Sequence, residues 1–326
     1  LPSAPAIWRG AALQDSSNRI MAFAMELWVV ITLAAAFLQN LRSLLQRHLK
    51  GVLSNTGATF VRFGFGLPVG LILLATIAFA GDGDLPVPSL PFAAWVALAA
   101  AAQIAAQVLL LYTFGFRNFV VGTAYSRTEP AQAALFGLLL LGEQSGIGTL
   151  LAIAVSIAGV MLLSVARTAF SLKALFTGFL TRTALLGLSS GALFGVAAVA
   201  YRAASLALEG EAGFVPRAAT TLVAALVLQT VAMLAWMAWR ERPQFAAIRL
   251  AWRPAAATGV VGALASFGWF MAMTLQQAAV VKAVAQVEML FALATSVIVF
   301  REHVNLREIA GSALIVAGIL ALLYVR

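Results

Sequence analysis

Ten apolar stretches, each about as long as a membrane-spanning helix, follow one another along this sequence with short connections between them. A bilayer core about 30 Å thick needs about 20 helical residues per crossing. The stretches cover residues 25–46, 55–80, 90–115, 119–141, 146–166, 183–206, 213–239, 254–275, 278–300 and 305–325. Only 10% of the 326 residues are charged, whereas soluble domains carry about 25%. The sequence therefore predicts an all-α integral membrane protein with ten transmembrane helices.

The residue types argue against several classes of active site. The chain has no cysteine, so thiolate metal sites, iron–sulfur clusters and disulfides are excluded. Its two histidines lie near predicted helix ends, and neither an HExxH nor a Walker A motif occurs. We therefore expect no metal, no cofactor, no ATP-driven pump and no intramembrane enzyme. A channel is a weaker alternative, because channels commonly build their pores from symmetric subunits.

Basic residues are distributed unequally between the two faces of the predicted bundle. The face that carries the connections after odd-numbered helices holds thirteen Lys and Arg residues, and the opposite face holds five. Arg42 is counted on the first face and Arg202 on the second. The more positive face usually lies in the cytoplasm, which predicts that both termini lie outside. This loop placement also accounts for the net charge of +9 without any nucleic-acid partner.

The two halves of the sequence align without a gap at an offset of 159 residues. Glu129 then corresponds to Glu288, and Glu143 corresponds to Glu302. Charged residues at matched depth in two membrane helices rarely coincide by chance. Because each half has five predicted helices, an odd number, the duplication predicts two inverted halves, as in many secondary transporters.

Short motifs recur at matching places in the two halves. They are Glu129-Pro130, Leu141-Gly142-Glu143 and Ala158-Gly159, with Glu302 and Ala317-Gly318 in the second half, and Arg62 early in the second helix. Together they resemble the EamA family of the drug/metabolite transporter superfamily. The second half departs from the family pattern, since Met289 stands in place of a proline and Arg301 in place of a glycine.

This resemblance implies a basket of two inverted five-helix repeats, at residues 25–166 and 183–326, joined by a basic linker at 167–182. Residues 1–24 are expected to be an irregular tail, with Met21 or Met25 as candidate starts. The resemblance also implies a multi-pass protein of the bacterial inner membrane that exports small metabolites, often amino acids. Its substrate cavity would be lined mainly by helices 1, 3, 4, 6, 8 and 9.

Five charged residues stand out within the predicted helices, where charges are costly and by default mark a function. They are Arg62, Arg127, Glu129, Lys282 and Glu288. They could instead neutralise one another as buried ion pairs. For Glu129 and Glu288, which lie near mid-helix, we expect binding of a proton or of a substrate amine, because a carboxylate in a low-dielectric cavity can exchange protons near neutral pH. Pro130 is expected to kink the fourth helix.

Other polar and aromatic side chains are candidates for the substrate site: Gln39, Asn40, Gln103, Gln107, Tyr112, Trp269 and Gln286. Gln103 and Gln107 share one helix face, as do Lys282 and Gln286, because each pair is four residues apart. Two interpretations stay open. The polar groups bind a zwitterionic substrate, or they hydrogen-bond neighbouring helices at about 0.6 kcal/mol each. The aromatic rings form an apolar wall of the site or simply contact lipid.

The sequence thus predicts a secondary transporter that works as a monomer and exports amino acids or similar metabolites by alternating access, with protons as the candidate coupling ion. Two acids, three bases, amides and aromatic rings within the helices suit a zwitterion. The first alternative is efflux of drugs or cationic compounds, and sugar-type substrates are a further one. The two acids would serve the first alternative, whereas Lys282 and Arg127 would oppose it.

Overall fold

A computed structural model describes residues 27–46, 49, 51–80, 85–113, 116, 119–166, 180–301 and 303–325. Over these residues the chain is mainly helical. Its helices are α1 (Leu27–Gln46), α2 (Asn55–Gly64), α3 (Gly66–Ala80), α4 (Leu90–Thr113), α5 (Phe119–Ser126), α6 (Glu129–Leu141), α7 (Ile147–Val165), α8 (Arg182–Leu206), α9 (Phe214–Arg240), α10 (Pro243–Leu250), α11 (Trp252–Leu275), α12 (Ala278–Val284), α13 (Val287–Phe300) and α14 (Leu306–Tyr324).

Nine helical stretches in the described part of the chain are long and apolar enough to cross a membrane. They are α1, α2 with α3, α4, α7, α8, α9, α11, α12 with α13, and α14. The fourth predicted segment, 119–141, folds instead as α5 and α6, which have 8 and 13 residues and are separated at Arg127 and Thr128. The prediction of a multi-pass, all-helical membrane protein is confirmed.

The interruption between α5 and α6 follows from the local sequence. Pro130 lies in the first turn of α6, where its missing N–H breaks no helical hydrogen bond. The Thr128 hydroxyl donates to the Tyr125 carbonyl at 2.7 Å and accepts from Gln132 Nε2 at 2.7 Å, which stabilises the turn. The predicted kink is therefore a complete break in the helix. A second break, at Ala285 and Gln286, separates α12 from α13.

A stripe of glycines on α8 allows this helix to approach the broken segment closely. A Cβ atom on Gly191 would lie 2.8 Å from the Ser126 carbonyl oxygen, and one on Gly195 would lie 3.1 Å from the Ala133 backbone nitrogen. Larger side chains would push the helices apart. The glycines thus hold the α5–α6 break against α8.

The last helices of the two halves, α7 and α14, also pack at short distance. A Cβ atom on Gly159 would lie 2.7 Å from the Gly311 carbonyl oxygen, and one on Gly318 would lie 2.7 Å from the Ser156 backbone nitrogen. Gly159 and Gly318 are equivalent at the offset of 159 residues. Equivalent helices of the two halves therefore contact each other directly.

Some sequence-based expectations need correction or lie outside the described residues. Arg42 was counted as a loop charge, although it falls inside the predicted segment 25–46. It lies within α1, which ends at Gln46, and is only 9% exposed. Arg202 likewise lies inside α8. The connection after α9 contains the short helix α10, where no helix was expected. The tail at 1–24 and most of the linker at 167–182 are not among the described residues.

Candidate substrate cavity

A polar cavity of about 300 Å³ lies at the centre of the helices. It will be called the central cavity. Its walls come from α1, α2, α4, α5, α6, α8, α11, α12 and α13. Every segment that the resemblance implied contributes to it, and α2 adds Thr59 and Arg62. The volume suits a small ligand, since small-molecule sites in proteins start at about 300 Å³.

Both helix breaks open onto this cavity and place a glutamate there. Glu129 lies in the first turn of α6, and Glu288 lies in the first turn of α13. Both side chains line the cavity. A carboxylate near a helix N-terminus is stabilised by the helix dipole. The repeat thus supplies one acidic group at the start of a half-helix in each half of the chain.

Ion pairs connect these glutamates to the opposite half. Lys282 Nζ lies 2.8 Å from Glu129 Oε1, and both side chains are about one-fifth exposed. Arg127 Nη1 lies 3.7 Å from Glu288 Oε2, and the Arg127 side chain is 39% exposed. Each glutamate is therefore neutralised by a base from the other half, with the Lys282 pair tighter and more buried.

Gln39 on α1 connects the second ion pair to an aromatic ring. Its Nε2 donates to Glu288 Oε2 at 2.8 Å, and its Oε1 accepts from Trp269 Nε1 at 3.1 Å. Lys282 Nζ also lies 5.5 Å from the centre of the Trp269 ring, within the range of a cation–π contact. These contacts join α1, α11, α12 and α13 around the two carboxylates.

A second polar network lies deeper in the wall of the cavity. Gln103 Oε1 accepts from Tyr201 Oη at 3.0 Å and from Gln229 Nε2 at 2.5 Å. Gln229 Nε2 also lies 3.0 Å from Tyr201 Oη, which accepts from it. Tyr201 and Gln229 are each only 2% exposed. Because its polar groups are satisfied within the protein, this network fixes α4, α8 and α9 to one another.

Arg42 and Arg62 line the same cavity. Among the described residues, Nε and Nη1 of Arg42 and Nε of Arg62 have no hydrogen-bond partner. Arg62 Nη2 makes a long contact of 3.5 Å with Ser266 Oγ, and the Arg62 guanidinium carbon lies 5.2 Å from the centre of the Phe63 ring. The described walls of the cavity hold four cationic side chains and two carboxylates, which leaves an excess of two positive charges.

A larger and mainly apolar cavity, here called the side cavity, has a volume of about 1050 Å³. It lies between α2, α4 and α9, with Tyr112, Met233 and Trp236 in its walls. Thr59 and Gln107 line both cavities. The central cavity is therefore bordered on one side by an apolar space.

The connections after α6 and α11 are joined by a cluster around Arg202, here called the Arg202 cluster. Arg202 forms a short ion pair with Glu143 and donates from Nη1 to the carbonyl oxygens of Met273 at 2.6 Å and Gln276 at 2.7 Å. The side chains of Arg202 and Glu143 are only 14% and 15% exposed. One guanidinium thus connects the ends of three helices, from both halves of the chain.

A separate polar cluster, here called the Glu241 cluster, joins the start of α2 to the end of α9. Glu241 accepts from Ser54 Oγ at 2.6 Å and from Thr56 Oγ1 at 2.7 Å. Gln244 Oε1 accepts from the Ser54 backbone N–H at 3.0 Å. These contacts are made by hydroxyls, an amide and one carboxylate, without a partner base.

Comparison with known proteins settles the family. The sequence profile described as "EamA-like transporter family" matches residues 26–165 and again residues 181–324. The chain belongs to the EamA-like transporter family. The resemblance inferred from the motifs is confirmed, and the protein is a membrane protein of a transporter family.

Structural comparison of this EamA-like chain gives a consistent result for the fold. A solved structure titled "Crystal structure of protein" aligns with a TM-score of 0.66 and covers 90% of this chain and 94% of its own, at 16% sequence identity. In all, 28 chains of solved structures match. At this identity the likeness shows the fold alone. No curated protein matches the chain in sequence.

The structure brings most of the predicted site residues of this EamA-like protein together. The central cavity is lined by Gln39, Arg62, Gln103, Gln107, Glu129, Trp269, Lys282 and Glu288. Three others lie elsewhere. Asn40 donates to Thr295 Oγ1 at 3.1 Å, Gln286 donates to the Arg127 carbonyl at 3.2 Å, and Tyr112 lines the side cavity with 54% of its surface exposed.

Sequence reasoning missed three residues that matter to this EamA-like site. Arg42 was assigned to a loop, and neither the repeat nor residue spacing pointed to Tyr201 or Gln229. A usable signal existed for Gln229, because it is the only amide residue within the apolar segment 213–239. A lone amide in a membrane helix usually has a polar partner on a neighbouring helix.

Proposed function

We propose that this protein is a secondary transporter that moves small metabolites, foremost amino acids, through the central cavity by alternating access. The observation that carries the proposal is the polar cavity at two helix breaks, where each half's glutamate pairs with a base of the other half. Such broken helices near the membrane midplane provide substrate and ion sites in many transporters. We further propose ten crossings in two inverted repeats within a bacterial inner membrane, with both termini outside.

The two ion pairs offer a way to couple binding to movement. A substrate amine that approaches Glu129 competes with Lys282, and one that approaches Glu288 competes with Arg127. A proton on either carboxylate would weaken the same pair. Because each pair joins the two halves, its opening removes one of the contacts that hold them together. Substrate and proton would thereby change the relative stability of two arrangements.

The Arg202 cluster and the Glu241 cluster are the proposed gates on the two faces of the membrane. Under the ten-helix topology, the connections after α6 and α11 share one face, and the start of α2 and end of α9 share the other. The Arg202 cluster closes its face with buried charge-assisted hydrogen bonds, which are stronger than neutral ones. We propose that it opens when the halves move apart, while the Glu241 cluster closes further.

The alternative function, efflux of cationic drugs, draws support from one feature, the side cavity. Its apolar walls would suit an amphipathic compound. The central cavity opposes that function, because four cationic side chains against two carboxylates would repel a cationic ligand. Amino-acid transport therefore remains the proposal.

The test is counterflow of radiolabelled amino acids in proteoliposomes that contain the purified protein, with protein-free liposomes as the control. We expect saturable accumulation that unlabelled substrate accelerates. An imposed proton gradient distinguishes coupled transport, which responds to it, from facilitated diffusion, which does not. Flux no greater than in protein-free liposomes, for every amino acid, would contradict the amino-acid proposal and shift the search to cationic compounds.

A further inference from the structure

Arg42 and Arg62 lie side by side in the central cavity, although they come from different helices. A Cβ atom on Gly262 of α11 would lie 3.2 Å from Arg42 Cδ and 3.3 Å from Arg62 Cγ. The aliphatic parts of both arginine side chains therefore pack against Gly262, because this residue has no side chain to exclude them. Ser266, one turn further along α11, is within 3.5 Å of Arg62 Nη2.

The two guanidinium groups can donate more hydrogen bonds than the described residues accept. Arg42 is 9% exposed, yet its Nε and Nη1 atoms have no hydrogen-bond partner among the described residues, and neither has Nε of Arg62. Burying a charged group without hydrogen bonds is costly. Two like charges placed together add repulsion to that cost. An anionic ligand in the cavity would supply the hydrogen-bond acceptors that the described residues do not, and would offset the repulsion.

The other charges of the cavity are already engaged. Lys282 is paired with Glu129, and Arg127 is paired with Glu288. Glu288 also attracts Arg42 electrostatically, but no ion pair within 4.0 Å joins the two. A neutral amino acid, as a zwitterion, would add no net charge and would leave the excess of two positive charges. A ligand with an additional carboxylate would reduce it.

We propose that Arg42 and Arg62 bind the additional carboxylate of an acidic amino acid or a dicarboxylate, and that the cavity therefore selects such substrates over neutral and cationic amino acids. This inference rests on the proposed transport function and narrows its substrate class. The planar guanidinium fork matches the two oxygens of a carboxylate, and arginine is favoured wherever such recognition is required.

A partner for the amine of an acidic amino acid lies close to the arginine pair. Gln39 lies one turn before Arg42 on α1 and donates to Glu288. A substrate carboxylate at the arginine pair would therefore have Glu288 nearby for its amine. The Glu288 ion pair is the longer of the two, at 3.7 Å, so it is the one that an incoming amine displaces more readily.

The test compares L-glutamate with L-glutamine, which have the same length and differ by one charge, in calorimetric titrations of the purified full-length protein in lipid nanodiscs. We expect glutamate to bind at least about tenfold more tightly, from one charge-assisted contact. Arg42→Gln should remove most of that preference and change glutamine binding little. Arg249→Gln, at an exposed position on α10, is the matched control and should retain the preference.

Equal binding of glutamate and glutamine by the unmodified protein, or binding of neither, would overturn the proposal, and this comparison needs no variant to fold. Succinate and inorganic phosphate complete the panel. Phosphate binding more tightly than either carboxylate would overturn the carboxylate assignment in favour of a phosphorylated substrate. Because titration measures no flux, a glutamate preference without transport would contradict only the transport proposal. Transport of neutral amino acids without a glutamate preference would contradict only this inference.

Discussion

The Arg202 cluster and the Arg42–Arg62 pair show two opposite uses of a buried arginine in one chain. Arg202 has a carboxylate and three carbonyl oxygens as partners, all supplied by the protein. Arg42 and Arg62 lie against the same glycine, and three of their guanidinium nitrogens have no hydrogen-bond partner in the part of the chain that the structure describes. The first arrangement is complete without a ligand, whereas the second is not.

This difference teaches how to separate structural charges from binding charges within a membrane protein. A buried charge whose partners come from the chain stabilises the fold or one of its states, because removing it leaves those partners unsatisfied. A buried charge without partners reduces stability and is retained for a function. The two classes should therefore respond oppositely to mutation, and the following predictions test that contrast.

The largest expected effect is a difference in protein stability between variants of Arg202 and of Arg42. Arg202→Ala leaves the Glu143 carboxylate and three carbonyl groups without their partner, and should destabilise the protein by about 3–5 kcal/mol. Arg42→Met keeps an apolar stem against Gly262 and removes an unpartnered charge, so stability should stay equal or rise. Thermal and denaturant unfolding in detergent, followed by tryptophan fluorescence, measures both.

Arg249→Gln serves as the control for the general effect of losing one positive charge, since this side chain is exposed. It should change stability by less than about 0.5 kcal/mol. An Arg42→Met variant that is as unstable as Arg202→Ala would contradict the proposed difference between the two arginines. That result would place Arg42 among the structural charges.

An intermediate effect, on exchange activity, is expected when either Glu129 or Glu288 is replaced. Glu129→Gln leaves Lys282 without its carboxylate at 2.8 Å in a mainly buried position, and should lower exchange activity about tenfold or more. Glu288→Gln should lower it less, because Arg127 is 3.7 Å away and 39% exposed, so water screens that pair. Counterflow rates in proteoliposomes at equal protein density give the comparison.

A charge reversal controls for the substitution itself. The double variant Glu129→Lys with Lys282→Glu restores an ion pair between the halves, and should recover part of the activity that each single variant loses. Equal losses in Glu129→Gln and Glu288→Gln, with no recovery in the double variant, would show that these pairs do not act as we propose.

The smallest effect is expected at Gly262, which tests the geometry of the arginine pair rather than its charge. Gly262→Ala places a methyl group 3.2 Å from Arg42 Cδ and 3.3 Å from Arg62 Cγ. The stems must move by a few tenths of an ångström, so glutamate affinity should fall about threefold to tenfold while stability changes by less than about 1.5 kcal/mol.

The same titration with glutamine distinguishes this shift from general damage to the cavity. Glutamine affinity should change less than glutamate affinity, because only the second carboxylate depends on the arginine spacing. An unchanged glutamate affinity in Gly262→Ala would show that the stems are not held in position by this contact.

The positions of the membrane segments and of the paired acids were predictable because they depend on local properties. Nine spans match apolar stretches found by length and composition, and the repeat led directly to Glu129 and Glu288. The family followed from motifs such as Glu129-Pro130, and the profile match confirms it. The position of Arg42 in the cavity was not predicted. Hydropathy alone assigns a charge near the end of an apolar stretch to the following connection.

Sequence by itself determined that this chain lies in a membrane, that it is duplicated, and which acids lie at equivalent places in its halves. These properties depend on hydropathy and on residue order, which are both local along the chain. Tertiary structure decided which base neutralises each acid, which arginines keep free bonding capacity, and which segment is broken rather than continuous. Those outcomes depend on contacts between residues far apart in the chain. A difference of a few ångströms in their separation decides whether two charges form an ion pair or leave a site for a ligand.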